Sequence, residues 1–219
     1  MTSPPAFTEG SATPVAEGPS TGPVVIFAHG AGAGPDSEFM QQVAKGLVSQ
    51  GIAVVRFEFP YWTKIRTTGK RRPPNRQPQL QQSMLEVAAP YQHRPLWLMG
   101  KSMGARVAFT CADRLHAMGA IGLGFPFHPQ GKPERHRIDE LHNRRACNLI
   151  VQGTHDGMGK QAWVEQQSLP ANLHIEWVAT GNHDLVPHKS SGLDAQASWH
   201  QVVLLVSRFI KDEEWRLSL

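Results

Sequence analysis

The stretch from Pro95 to Arg106 constrains this chain more than any other. Apolar residues from Leu96 to Met99 run into Gly100-Lys101-Ser102-Met103-Gly104, and apolar residues then recur at Met103, Val107, Cys111 and Leu115. An unbroken apolar run followed by a stripe at helical spacing reads as strand, tight turn and helix. Ser102 stands at the corner. Glycines two places before and after it let strand and helix approach closely, so the serine can take a strained backbone conformation with its hydroxyl exposed. That makes Ser102 a candidate nucleophile, the alternative being an ordinary helix cap.

The same alternation runs through the rest of the chain. Val24 to Ala28 is a continuous apolar run, as in a strand covered on both faces, and it ends in His29-Gly30-Ala31-Gly32-Ala33-Gly34. Asp36 is a candidate N-cap for a helix carrying Phe39, Val43 and Leu47 and closing near Gly51. Ile52 begins a second strand, halted by Pro60, and Leu80, Met84, Val87, Ala88 and Tyr91 share one helical face. Further strands follow at Ala117 to Gly124, Asn148 to Gln152 and Leu173 to Val178, with a helix expected around Gln161 to Leu169. The last helix carries Trp199, Val202, Val203, Val206, Phe209 and Ile210 on one stripe. Strands alternating with helices predict an α/β fold with a mostly parallel central sheet and helices on both faces. The segment between Gly124 and Asn148 leaves little room for a large lid domain.

Tyr61 to Pro78 holds Lys64, Arg66, Lys70, Arg71, Arg72 and Arg76 among prolines and polar residues. It is expected to be a long exposed loop, solvated or available to an anionic substrate or a partner. Met1 to Pro23 is rich in Pro, Gly, Ser and Thr without periodicity, and predicts a flexible tail with a short edge strand near its end. A single domain is expected over residues 24–219.

Composition excludes some classes of function. No apolar run has the length of a membrane span, so no membrane partner is expected. The net charge of +4 is too mild and too scattered to argue for nucleic acid. Cys111 and Cys147 fall in apolar elements and no signal-like stretch opens the chain, which favours a reducing, cytoplasmic setting. The histidines are dispersed and the cysteines far apart, so neither a metal nor another cofactor is expected.

Ligands of parallel α/β sheets bind beyond the carboxyl ends of the strands. Polar clusters stand there at Ser102, His155-Asp156 and His183-Asp184. A serine hydroxyl needs a base to take its proton and a carboxylate to orient that base. Ser102, Asp156 and His183 supply these in the chain order expected of an α/β-hydrolase; His155 and His188 compete for the base, and Asp184 and Asp139 for the acid. The amide of Met103, just after the nucleophile, is one expected oxyanion donor, and the second is assigned to Ala31 in the first glycine loop, with Gly30 and Gly32 as alternatives. His29 is expected to brace that loop. Tyr61, Trp62, Phe125 and Phe127 follow strand ends and are candidates for an apolar acyl pocket.

His29-Gly-Ala-Gly-Ala-Gly, Phe57-Glu-Phe-Pro-Tyr, Gly100-Lys-Ser-Met-Gly-Ala-Arg, Gly153-Thr-His-Asp and Gly181-Asn-His-Asp together resemble small, lidless α/β-hydrolases. The set looks like dienelactone-hydrolase relatives, and is similar to the hydrolase-like domain in a subunit of the animal non-specific-lethal histone acetyltransferase complex. The resemblance covers nearly everything but the tail. It implies a serine hydrolase fold with nucleophile, acid and base at Ser102, Asp156 and His183. The expected activity is hydrolysis of a small-molecule ester or thioester through an acyl-enzyme. A non-catalytic scaffold that binds a partner through its basic loop, and an acyltransferase using the same residues, are the alternatives.

Overall fold

The computed structural model describes residues 14–142 and 146–218. Most of the sequence predicted to be a tail, residues 1–13, lies outside the described residues. Seven strands form one sheet in the order β1-β3-β2-β4-β5-β6-β7. They are β1 (Val15–Glu17), β2 (Val24–Ala28), β3 (Ala53–Phe57), β4 (Leu96–Lys101), β5 (Gly119–Leu123), β6 (Asn148–Gly153) and β7 (Leu173–Val178). Every pairing is parallel except that of the edge strand β1, which runs antiparallel to β3. The edge strand expected near the end of the tail is therefore present. Glu17 is held there by buried Arg56, whose guanidinium lies 3.0 Å from its carboxylate, and Arg94 binds the carbonyls of Pro19, Thr21 and Gly22.

The continuous apolar strands divide their side chains between two cores. Val24, Ile26 and Ala28 face α3 (Gln77–Ala88) and α4 (Met103–Cys111), while Val25 and Phe27 face α1 (Glu38–Ser49) and α6 (Ala195–Lys211). Strict alternation with both faces buried explains why these strands read as unbroken apolar runs. On the second face Phe39 and Trp199 meet edge to face, 5.5 Å between ring centroids. Right-handed crossovers place each connecting helix's first turn at the carboxyl edge of the sheet, which matters for the cleft described below. Among the described residues no helix is long and apolar enough to cross a membrane.

Two expectations are corrected. The basic segment is not one long loop: Pro60–Thr68 is a helix, α2. Proline at its first position fits the fixed φ of a helix start, Gly69 ends it in the left-handed region with φ 66°, and the buried Glu58 carboxylate accepts from Thr63 and Arg66. Only residues 69–76 remain irregular. The helix expected over Gln161 to Leu169 is a single turn, α5 (Gln161–Val164).

Candidate active site

β4 ends at Lys101 and α4 starts at Met103, so Ser102 alone redirects the chain. It does so with φ 52° and ψ −113°, outside the regions an L-residue ordinarily occupies. The turn presses strand, helix and the first loop together. A Cβ on Gly100 would lie 2.0 Å from the carbonyl carbon of Gly104, and one on Gly104 would lie 2.5 Å from the Ala28 oxygen. Backbone meets backbone at both places, which only glycine permits.

His183 lies in the turn after β7. Asn182 Oδ1 accepts from the amides of Asp184 and Val186 at 2.9 and 3.1 Å. Thr180 and Leu185 flank the turn with φ of 56° and 57°. The turn after β6 is fastened to it: the His155 amide donates to Gly181 O, and the Thr180 amide to Thr154 Oγ1, each at 2.9 Å. Two successive parallel strands thus bring the turns that carry Asp156 and His183 side by side.

His183 Nε2 lies 2.8 Å from Ser102 Oγ, and its Nδ1 lies 2.8 Å from Asp156 Oδ2. Asp156 is fully buried. Its Oδ1 accepts from the Met158 amide and its Oδ2 also accepts from Gln152 Nε2, both at 2.8 Å, so the carboxylate is satisfied inside the protein. With Nδ1–H directed at Asp156, Nε2 turns its lone pair to the serine hydroxyl. The competitors lie elsewhere: His155 pairs with Thr154 Oγ1, His188 with Ser190, and Asp184 with Lys101.

The amides of Ala31 and Met103 both border the cleft beside Ser102 and donate to no acceptor among the described residues. His29 braces the loop that carries Ala31. Burial pushes its pKa down to about 4, so the neutral ring donates from Nδ1 to Gly30 O at 2.7 Å and accepts the Phe59 amide at Nε2, 3.1 Å. Tyr61, whose phenol burial pushes up, donates to Gly30 O at 3.0 Å. Trp62 lies against Gly34, where a Cβ would fall 2.0 Å from the indole nitrogen. Tyr61 and Trp62 therefore back the glycine loop.

Phe125 and Phe127 do not reach the cleft either: both are fully buried and stack edge to face, 5.1 Å apart, in the core. Two cavities meet at Ser102, Ala31 and Met158. One, of about 560 Å³, is walled by Phe39, Met40, Val186 and Trp199. The other, of about 430 Å³, is walled by Asn75, Gln77, Arg106, Gln130 and Arg137. Sequence reasoning missed the first set because Phe39 and Trp199 belong to stripes that otherwise face the core. Their signal is position, since Phe39 and Trp199 stand near the starts of α1 and α6, the helices that follow the carboxyl ends of β2 and β7. It also missed Gln152 and Lys101. Gln152 is a polar residue on an apolar strand, four places before Asp156, and Lys101 is a cation buried beside Ser102.

Comparison with known proteins agrees with this architecture. An α/β-hydrolase serine hydrolase homologue from Coxiella burnetii superposes with TM-score 0.63 at 20% identity, covering 89% of each chain. A dienelactone hydrolase from Anabaena variabilis gives 0.65 at 18%, over 87% of this chain and 86% of its own. A lidless α/β serine hydrolase from Xanthomonas campestris gives 0.64 at 19%, over 97% of both. Identities this low speak for the fold alone. No curated protein sequence matches the chain. The family model described as an alpha/beta hydrolase domain matches residues 21–211, and the chain belongs to that family.

Proposed function

We propose that this protein hydrolyses small carboxylic esters or thioesters through an acyl-enzyme formed on Ser102. The observation that carries the reading is the unbroken line from Ser102 Oγ through His183 to Asp156, both contacts 2.8 Å, opening on a cleft.

In this reading His183 Nε2 takes the hydroxyl proton as Ser102 Oγ attacks the substrate carbonyl carbon. Negative charge moves onto the carbonyl oxygen, where the free amides of Met103 and Ala31 receive it. Asp156 holds the imidazole in the required orientation and stabilises its cationic form. Collapse of the intermediate breaks the bond to the leaving group, which departs with the proton from Nε2. Water then repeats the sequence on the acyl-serine and restores the enzyme. The apolar walls Phe39, Met40, Val186 and Trp199 suit an acyl or alkyl group. Cys111 and Cys147, both thiols outside any disulfide, suit a reducing compartment such as the cytosol.

A fluorophosphonate probe tests the nucleophile. Labelling of the native protein and none of Ser102→Ala is expected. No labelling of either, or equal labelling of both, overturns the assignment. A series of p-nitrophenyl esters of increasing chain length then measures the reach of the apolar wall.

A further inference from the structure

The two halves of the cleft differ in chemistry, and the reading above uses only one. Opposite the apolar wall stand Arg106 and Arg137 with three side-chain amides, in a cavity that also contains Ser102 and Met103. The charge of Arg106 is spent, because it holds Glu140 with two hydrogen bonds of 2.9 and 2.6 Å. Arg137 differs. Among the described residues its guanidinium makes one hydrogen bond, from Nη1 to the Pro126 carbonyl at 2.6 Å, and no described carboxylate lies within ion-pair distance of it. Burial, the Arg106 charge and the Arg135 charge push its pKa down, with Glu140 opposing. A guanidinium fixed by a carbonyl, partly desolvated, and next to a carboxylate (Glu140) that Arg106 already holds is poised for an anion.

Gln77 makes the same point independently. Its amide nitrogen is buried in the wall of this cavity and has no hydrogen-bond partner. A buried donor left unmade is costly unless an acceptor arrives. The rim beside it, residues 70–76, carries Lys70, Arg71, Arg72 and Arg76 and no acidic residue, all four exposed.

We propose that the Arg137 half of the cleft binds a carboxylate on the substrate, so that the preferred ester carries an anionic group on one side of the reacting carbonyl and an apolar group on the other. Arg137 supplies the charge-assisted hydrogen bonds and Gln77 a neutral one. The basic rim raises the local concentration of the anion. The proposal rests on Ser102 being the nucleophile for its statement about turnover, but not for its statement about binding.

The test compares the mono-p-nitrophenyl ester of glutarate with p-nitrophenyl hexanoate on native protein, Arg137→Met, Arg137→Gln and Arg137→Lys. Arg137→Gln removes the charge but keeps a polar side chain at this partly buried position, which covers the case in which the methionine variant does not fold. The kcat/KM ratio is expected to favour the glutarate ester by about tenfold or more in native protein, as a charge-assisted hydrogen bond implies. It should collapse toward one in Arg137→Met and Arg137→Gln, recover in part in Arg137→Lys, and shrink as salt rises. A native ratio near one, or one unmoved by these variants, overturns the proposal while leaving Ser102 as nucleophile. Where neither ester is turned over, the proposed hydrolysis fails and calorimetry with glutarate decides the rest. Binding by native protein that is lost in Arg137→Gln keeps the anion site, and absence of binding removes it.

Discussion

Lys101 Nζ lies 3.2 Å from Asp184 Oδ1, so the residue just before Ser102 is tied to the residue just after His183. The lysine is almost wholly buried, and burial pushes its pKa down while Asp184 and Asp156 oppose that shift. An ammonium is expensive to hold there if it only contributes stability. What it does geometrically is fasten the turn that carries His183 to the turn that carries Ser102. Lys101→Met is therefore expected to lower kcat by about tenfold, the scale of a small loss of alignment, with KM little changed and no fall in melting temperature. A variant that loses melting temperature but keeps kcat would show the pair to be structural.

Asp156→Asn addresses the other contact of His183, the base in the proposed hydrolysis. The carboxylate receives donors from Gln152, the Met158 amide and His183. An amide in its place sets an NH2 group against at least one of those donors, and the imidazole loses the acceptor that fixes its tautomer. Turnover should fall by about 10⁴-fold, the loss seen when the carboxylate of such a triad is made an amide. The rate of fluorophosphonate labelling should fall with it. Retention of the native labelling rate would mean that His183 is oriented by something else.

Some of this was legible in the residues and some was not, for physical reasons. The elbow could be read because Gly100 and Gly104 sit where no Cβ fits, the first against the backbone of Gly104 and the second against that of Ala28 and His29, and both stand two places from Ser102. The strands could be read because burial on both faces leaves no room for polar residues. Helix α2 was hidden, because Lys64, Arg66 and Thr67 face solvent and only Tyr61 and Thr63 are buried, so no apolar stripe marks it. Phe125 and Phe127 were placed in the cleft by their position after a strand, whereas the backbone turns them into the core. Which of several aromatic residues lines a cavity depends on tertiary packing, and residue type does not encode it.

Gly104→Ala tests the elbow's packing without touching its chemistry. A methyl group there would fall 2.5 Å from Ala28 O and 2.7 Å from His29 O, both backbone atoms that cannot rotate away. Strand β2 or helix α4 must shift, at a cost of about 3 kcal/mol, the upper end for overpacking. The urea midpoint should fall accordingly. A change of a few tenths of a kcal/mol would show that the helix start is free to move.

His29 gives the stability of this fold a dependence on pH that can be isolated. Burial pushes its pKa from 6.5 to about 4 in the folded protein. Above pH 6.5 neither state binds the proton and the ring costs nothing. As the pH falls through the window from 6.5 to 4, the unfolded chain takes up a proton that the folded chain refuses, so stability drops. Below pH 4 both states are protonated and the loss is complete, amounting to about 3 kcal/mol for a shift of this size. Other groups titrate in the same window, so the quantity to measure is a difference. Unfolding free energies from urea titrations between pH 7 and 4 should show native protein losing up to about 1.4 kcal/mol more per pH unit, the slope for one proton, than His29→Gln, whose amide can donate and accept without titrating. Equal slopes would mean that the ring is protonated in the folded state, and the bond from Phe59 to its Nε2 would then have to be abandoned.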